Sequence, residues 1–188
     1  MLFIGFYQVV LLQNLCGKNK SLISNREFSD WRFDLKLYCN LDTYRTVVLN
    51  IELCTWWSIA HKYFYLKRSC ITMMKLLCNT NCLRLYSEHD ILPSERICKL
   101  CRSNVVESNY HFIMECSAYT SLRSELFNNI HTILSNESFI NYRSLSDKMI
   151  FYILLGLDYP FERGELEAIR CCSAYYLHKM YCIRYHAL

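Results

Sequence analysis

Apolar residues recur at three- and four-residue steps along most of the chain, which is the spacing of an amphipathic helix. The run 28–39 has this spacing and predicts one such helix. The segments 52–60 and 63–77 lack glycine and proline and predict a long helix with one basic face, which we interpret first as a solvated surface and second as a candidate nucleic-acid surface. Its apolar positions are Phe64, Ile71, Met74 and Leu77, and its basic positions are Lys62, Lys67, Arg68 and Lys75.

The rest of the chain is also predicted to be helical, with short breaks. The segment 42–49 is rich in β-branched residues but begins with Asp-Thr, and we favour a helix over a strand there. The stretch 136–141 is interpreted as a turn-rich gap. Ser117 is the candidate N-cap of the helix predicted over 117–134. Three further helices are predicted over 117–134, 146–155 and 161–185. The expected inner side of the last helix consists of Leu166, Ile169, Tyr176 and Met180.

Composition favours one folded domain without a flexible linker. The 188 residues include two prolines and four glycines, and 15% are aromatic, so enough apolar surface is present to offset chain entropy. We predict a mainly α fold, a small irregular helical domain over 26–188, preceded by an apolar segment and linker at 1–25. Residues 1–15 are interrupted by Gln8 and Gln13 and are shorter than the roughly 20 residues of a membrane span. We therefore expect an intracellular protein, nuclear or cytoplasmic, and treat a signal peptide or membrane anchor as the less favoured reading.

The candidate chemistry lies at Cys98, Cys101, His111 and Cys116, which form the pattern Cys-x2-Cys-x9-His-x4-Cys. Three cysteines and one histidine make a complete tetrahedral ligand set for a structural zinc ion, so a zinc-knuckle-like Cys3His unit is predicted at about 94–127. His111 and Cys116 are five residues apart, about 140° around an ideal helix, so the backbone must distort or end before Cys116. The alternative is three buried thiols and a core histidine, but the complete ligand set favours the metal site.

The remaining cysteines carry a weaker pattern. Cys78, Cys82 and His89 form a looser group without a fourth ligand nearby. Because the chain has twelve cysteines, a close pair arises easily, and structural thiols are favoured over a second metal site here.

The zinc-binding stretch resembles a known family over about thirty-five residues. It is similar to the zinc-binding region downstream of the reverse transcriptase in non-LTR retrotransposon polyproteins of animals. The matching residues are Glu95, Arg96, Cys98, Cys101, Glu107, His111, Phe112, Cys116, Tyr119, Leu122, Arg123 and Phe127. The departures are Ser117, where the family commonly has proline, and Ser108, Asn109 and Tyr110, where acidic residues are usual. The resemblance implies descent from a mobile element and a zinc-stabilised module that accompanies nucleic-acid chemistry.

The sequence argues against catalysis. It contains no Tyr-x-Asp-Asp pair for two magnesium ions, no Walker A loop, no Gly-x-Ser-x-Gly elbow and no His-Glu-x-x-His helix. We expect no small-molecule substrate and no membrane partner, and RNA or DNA as the candidate partner, although a net charge of +4 is compatible with nucleic acid without demanding it. The expected phosphate contacts are Arg96, Lys99, Arg102 and Arg123, and Tyr110 or Tyr119 could stack on a base, although a core or solvated surface position is favoured for each.

Two other functions stay open. One is a structural or protein-interaction scaffold in which zinc only stabilises the helices. The other is a secreted protein held by disulfides.

Overall fold

The computed structural model describes residues 41–48, 55–87, 90–101 and 103–187. Within these ranges the chain is mostly helical, and the β-structure is a single antiparallel bridge between Ile97 and Val106. The predicted mainly α fold is therefore confirmed. The α-helices are α1 (Asp42–Val47), α2 (Thr55–Lys62), α3 (Lys67–Leu77), α4 (Arg84–Ser87), α5 (Thr120–Ile133), α6 (Asn136–Arg143), α7 (Asp147–Leu154) and α8 (Arg163–His186). Short 3-10 turns lie at Phe64–Leu66, Pro93–Glu95 and Ser117–Tyr119, and a π-helical turn lies at His111–Glu115.

Helix α8 is the longest of these helices and packs between α3 and α5. Its predicted inner side is largely correct, since Ile169 and Met180 are fully buried, while Leu166 and Tyr176 lie half-buried at the edges. The side facing α3 also carries polar contacts, including His178 Nδ1 at 2.8 Å from Thr72 Oγ1. α8 therefore joins the two halves of the described chain around one core.

The predicted long helix over 52–77 is interrupted. It is divided into α2, a 3-10 turn and α3, because Tyr63 and Leu66 leave the helical region of backbone conformation. Met74 and Leu77 face the core as expected, but Phe64 is 78% exposed and Ile71 is 40% exposed, so these two residues lie on the outer side. The interruption accounts for the outer position of Phe64, while Ile71 lies in α3 itself, on the side opposite to Met73 and Leu76.

Trp56 on α2 closes the core against the end of α7. Its indole N–H donates to the carbonyl of Leu155 at 3.0 Å, and the side chain is 1% exposed. Gly156 follows with φ of 108°, and a Cβ at this position would lie 3.2 Å from the indole ring. A glycine is required here both for the left-handed conformation and for the close approach of the tryptophan.

Two predicted boundaries are wrong, and one favoured helix is confirmed. Residues 136–141 form most of α6 rather than a gap, because Ser135 caps that helix by accepting the backbone N–H of Ser138 at 3.4 Å. Ser117 begins a 3-10 turn, and α5 starts at Thr120 without a side-chain cap. The helix favoured over 42–49 is present as α1.

Several predictions fall outside the described residues. These are the apolar segment at 1–25, the helix over 28–39 and the beginning of the segment 52–60. Among the helices that are described, none combines the length and the apolar character required to cross a membrane.

Candidate metal centre

The first ligand pair lies on a tight turn closed by the Ile97–Val106 bridge. The N–H of Cys98 donates to the carbonyl of Val105 at 2.8 Å, and the N–H of Glu107 donates to the carbonyl of Arg96 at 2.9 Å. Asn104 adopts φ of 56°, the left-handed conformation that asparagine tolerates and that returns the chain on itself. This turn places Cys98 and Cys101 on one side.

The second ligand pair lies on the π-helical turn His111–Glu115. The N–H of Cys116 donates to the carbonyl of His111 at 2.8 Å, an i to i+5 bond that widens the turn. Residues five apart are thereby brought to the same side, which an α-helix would not do. Cys116 then takes an extended conformation and ends the turn. The predicted distortion before Cys116 is confirmed, and it takes the form of a π-helical turn.

The four side chains meet in one buried cluster. Their ligand atoms all lie within 4.8 Å of one another, and all four residues are buried. Cys98 Sγ is 3.8 Å from Cys116 Sγ, and Cys101 Sγ is 3.1 Å from His111 Nε2. A tetrahedral zinc ion with Zn–S bonds of about 2.3 Å would separate two of its sulfurs by about 3.8 Å. The arrangement can therefore hold a metal ion, and the three cysteines are free thiols rather than disulfides.

His111 is oriented by Glu115. Its Nδ1 lies 3.3 Å from Glu115 Oε2, so the tautomer with a proton on Nδ1 donates to the carboxylate and leaves the Nε2 lone pair facing the sulfurs. Metal-bound histidines commonly have such a partner, which fixes the ring and increases the basicity of the ligating nitrogen.

The three thiols differ in acidity. Burial raises the pKa of Cys98, and it raises the pKa of Cys116 to about 12. Burial acts in the same direction on Cys101, but the hydroxyl and backbone N–H of Ser103 stabilise its thiolate and lower its pKa to about 6. Because a thiolate is the ligating form, a metal ion would displace protons mainly from Cys98 and Cys116.

A buried ion pair supports the cluster from outside. Arg184 on α8 donates to Glu107 through Nε at 2.5 Å and through one terminal nitrogen at 2.9 Å, and both side chains are 2% exposed. Glu107 also accepts the backbone N–H of Arg84 at 2.9 Å, and its Oε1 lies 3.8 Å from Cys98 Sγ. The pair links the metal-ligand turn to the C-terminal helix.

Sequence reasoning did not identify this pair. Glu107 matched the family pattern without an assigned role. Arg184 lies 77 positions away along the chain, and only its helical phase, on the buried side of α8, could have pointed to it.

Two of the arginines expected to contact phosphate lie against backbone carbonyls. Arg96 is 9% exposed, and its guanidinium donates to the carbonyls of Ile91 at 2.8 Å and Leu85 at 2.6 Å. Arg123 is half-buried and donates to the carbonyls of Ile113 at 3.2 Å and Cys116 at 2.8 Å. Both arginines therefore hold the backbone around the ligands.

The other residues expected to contact nucleic acid differ in their positions. Lys99 is exposed, and Arg102 lies outside the described residues. Tyr119 is 1% exposed and packs edge-on against Phe112, and Tyr110 is half-buried against Phe151. Tyr119 therefore lies in the core, one of the two positions favoured over base stacking.

The looser cysteine group does not form a second cluster in the part of the chain that the structure describes. Cys78 is buried and Cys82 is half-buried, while His89 falls outside that part. The one group there that could hold a metal ion is the Cys3His cluster.

Fold and site together define the class of this protein, a mainly α-helical protein with a buried Cys3His cluster. Comparisons with protein families, curated proteins and solved structures find no match for the chain.

Proposed function

We propose that this chain is a non-catalytic zinc-binding module, derived from a retrotransposon, that binds single-stranded RNA or DNA. The observation that carries the proposal is the buried set of four ligands from two separate turns. Thiolate and imidazole ligands in a tetrahedral arrangement favour zinc over magnesium, calcium or manganese. Four protein ligands leave no position for water or substrate, so the ion has a structural role.

Zinc would contribute folding energy to the segment that it closes. The turn at Cys98–Cys101 has one backbone bridge, and the π-helical turn is an uncommon and weak element. Without an ion, this cluster of three thiols and an imidazole would lack the metal–ligand bonds that join the two turns. Structural zinc contributes on the order of 10 kcal/mol in small modules, which is enough to decide whether this segment folds.

Support for nucleic acid as the partner comes from the family resemblance and from the basic residues. The net charge is +4, and Lys99 is exposed beside the cluster. Binding that depends on phosphate contacts must weaken with salt, with a slope of about −0.7 per phosphate contact for a single strand.

The test joins metal analysis with a binding titration. We expect one zinc per purified chain, release of that zinc by a thiol-specific mercurial, and a cobalt-substituted form with the absorption of a tetrahedral thiolate site. We also expect binding of fluorescent single-stranded oligonucleotides that weakens as salt increases. A protein without stoichiometric metal, or one that binds neither RNA nor DNA at low salt, would overturn the corresponding half of the proposal.

The second candidate is a zinc-stabilised scaffold without nucleic-acid affinity. It is favoured by the contacts of Arg96 and Arg123, which direct their guanidinium groups at backbone carbonyls. Stoichiometric zinc and loss of the fold on chelation, together with no binding to either nucleic acid, would establish this alternative.

A further inference from the structure

The outer side of α3 and of the 3-10 turn before it carries aromatic rings exposed to solvent. Phe64 is 78% exposed and Tyr65 is 77% exposed, and both lie in the 3-10 turn that leads into α3. Ile71, one turn further along, is 40% exposed. Large apolar side chains with this exposure in consecutive positions are unusual at a surface without a partner. We call this surface, together with the basic residues below, the α3 outer face.

Basic residues stand between and beside these rings. Lys67, Arg68 and Lys75 are all exposed, and Lys67 Nζ lies 5.6 Å from the centre of the Phe64 ring. Lys67, Ile71 and Lys75 follow at four-residue steps, so they form one row of about 12 Å along the helix axis. The α3 outer face consists of Phe64, Tyr65, Lys67, Arg68, Ile71 and Lys75.

No acidic residue of this segment offsets the charge. The sequence from 55 to 87 contains no aspartate or glutamate. The neighbouring carboxylate of Glu167, on α8, accepts hydrogen bonds from Lys62 and Tyr63. Among the described residues, the α3 outer face therefore presents basic groups around exposed rings, with no carboxylate of its own segment beside them.

This combination fits an unpaired nucleic-acid strand better than a membrane. Bases of a single strand stack on aromatic side chains while cations track the phosphates, and a duplex would hide the faces of its bases. A helix that lies on a membrane inserts its apolar side, but the apolar side of α3 is packed in the core, with Met73, Leu76 and Leu77 fully buried. The positive charge and the exposed rings both favour a single strand as the partner.

The metal-ligand segment supports the end of this helix. Asn109, two residues before His111, is 1% exposed and donates to the carbonyl of Leu76 and to Asn79 Oδ1, each at 2.7 Å. The same side chain accepts a hydrogen bond from Asn81 at 2.9 Å. Asn109 thus adds a side-chain donor to a carbonyl at the C-terminal end of α3, which also accepts the backbone N–H of Asn79 at 3.3 Å. Closure of the metal site would hold this contact in place.

We propose that the α3 outer face is the docking surface for single-stranded RNA or DNA. The inference rests on the proposed nucleic-acid function and assigns it to residues outside the metal-ligand segment. Phe64 and Tyr65 stack on bases, and Lys67, Arg68 and Lys75 contact phosphates. Zinc binding acts on this surface indirectly, through Asn109.

The experiment measures fluorescence anisotropy of a labelled 20-nucleotide single strand, as RNA and as DNA, with the zinc-loaded full chain. Loss of one stacked ring decreases affinity by about 5-fold or more, so the variant F64A/Y65A is expected to bind about 30-fold more weakly. The variant K67Q/K75Q is expected to reduce the magnitude of the salt slope by about 1.4, because two phosphate contacts are lost. A duplex of the same sequence and anionic phosphatidylserine vesicles serve as competing ligands.

Two control variants match these changes elsewhere on the surface. I140A/Y185A removes two exposed side chains, which are 69% and 62% exposed, and K148Q/K179Q removes the same charge as K67Q/K75Q. Thermal melts verify that every variant is folded. Controls that bind like the wild type, together with weakened α3 variants, would support the proposal.

The contrary outcomes are distinguishable. If the wild type binds single strands and F64A/Y65A binds within twofold of it, the α3 outer face is not the docking surface, while the proposed function stands. If the wild type binds no nucleic acid at low salt, both the proposed function and this inference are wrong. Preference for vesicles or for the duplex over the single strand would overturn the inference alone.

Discussion

Replacing Arg184 by methionine tests the ion pair that supports the metal cluster. Arg184 is 2% exposed and Glu107 is 1% exposed, so the substitution would leave a carboxylate buried without its cation. Removing one partner of a buried pair costs about 3–5 kcal/mol, because the remaining charge keeps its desolvation penalty. For a chain of this size, each 1 kcal/mol lowers the melting temperature by about 2–4 °C, so we expect a decrease of about 6–20 °C.

The double variant R184M/E107Q tests whether the unpaired carboxylate of Glu107 causes the loss of stability. Removing both charges eliminates the unpaired carboxylate, and a glutamine oxygen can still accept the N–H of Arg84. We therefore expect the double variant to be more stable than R184M alone, and a double-mutant cycle that also includes E107Q measures the coupling between the two side chains. The melts are made on zinc-loaded protein, with the zinc content of each variant determined alongside.

A matched control lies on the same helix. Arg170 pairs with Asp158; the arginine side chain is 15% exposed, but the carboxylate is 81% exposed, so R170M leaves its carboxylate partner in water. Exposed pairs contribute about 0–1 kcal/mol, and R170M is expected to lower the melting temperature only slightly. If R184M melts within 2 °C of R170M, or if the double variant is no more stable than R184M, the reasoning about the buried pair fails.

Three further predictions concern the metal, the glycine at the end of α7 and the start of α8. Chelation is expected to lower the melting temperature of the wild type and expose its thiols to alkylation, whereas C116S should bind little zinc and show little response to chelator. G156A should destabilise the fold by about 1–3 kcal/mol in urea denaturation, since its φ is 108° and the new Cβ would meet Trp56 at 3.2 Å; unchanged stability would contradict this. Backbone N–H donors, first that of Ser135, lower the pKa of Glu165 in the fold. The stability that this carboxylate provides is therefore complete above its unfolded pKa of about 4.3 and is lost as pH falls through the lower folded value, so the melting difference between wild type and E165Q should narrow in acid.

The ligands of the metal cluster could be predicted because their pattern is local. The first and last ligands lie 18 positions apart, and tetrahedral coordination restricts which residues can serve. Even the distortion before Cys116 followed from counting residues around a helix. The form of that distortion, a π-helical turn, depends on the bond from Cys116 to His111 and could not be derived from spacing alone.

The errors in the predicted helices have a different origin. Phe64 and Ile71 are expected inside and lie outside, because Phe64 lies in the 3-10 turn that interrupts the helix and Ile71 lies on the side of α3 opposite to Met73 and Leu76. The stretch 136–141 is interpreted as a turn-rich gap, although Ser135, directly before it, is a good N-cap. In both cases the backbone conformation of one or two residues decided the outcome.

The positions of the arginines beside the metal ligands depend on backbone conformation in the same way. The carbonyls of Ile113 and Cys116 lie where the π-helical turn ends, and that of Cys116 accepts the N–H of Tyr119 at 3.2 Å and has a second lone pair. Arg123 lies in the first turn of the next helix, within reach of both, and donates to them. The guanidinium of Arg123 is thus bound by backbone carbonyls at the end of the metal-ligand turn. The cations that stay available to phosphate are expected on a regular helix whose carbonyls are already paired, which is the condition that Lys67 and Lys75 meet on α3.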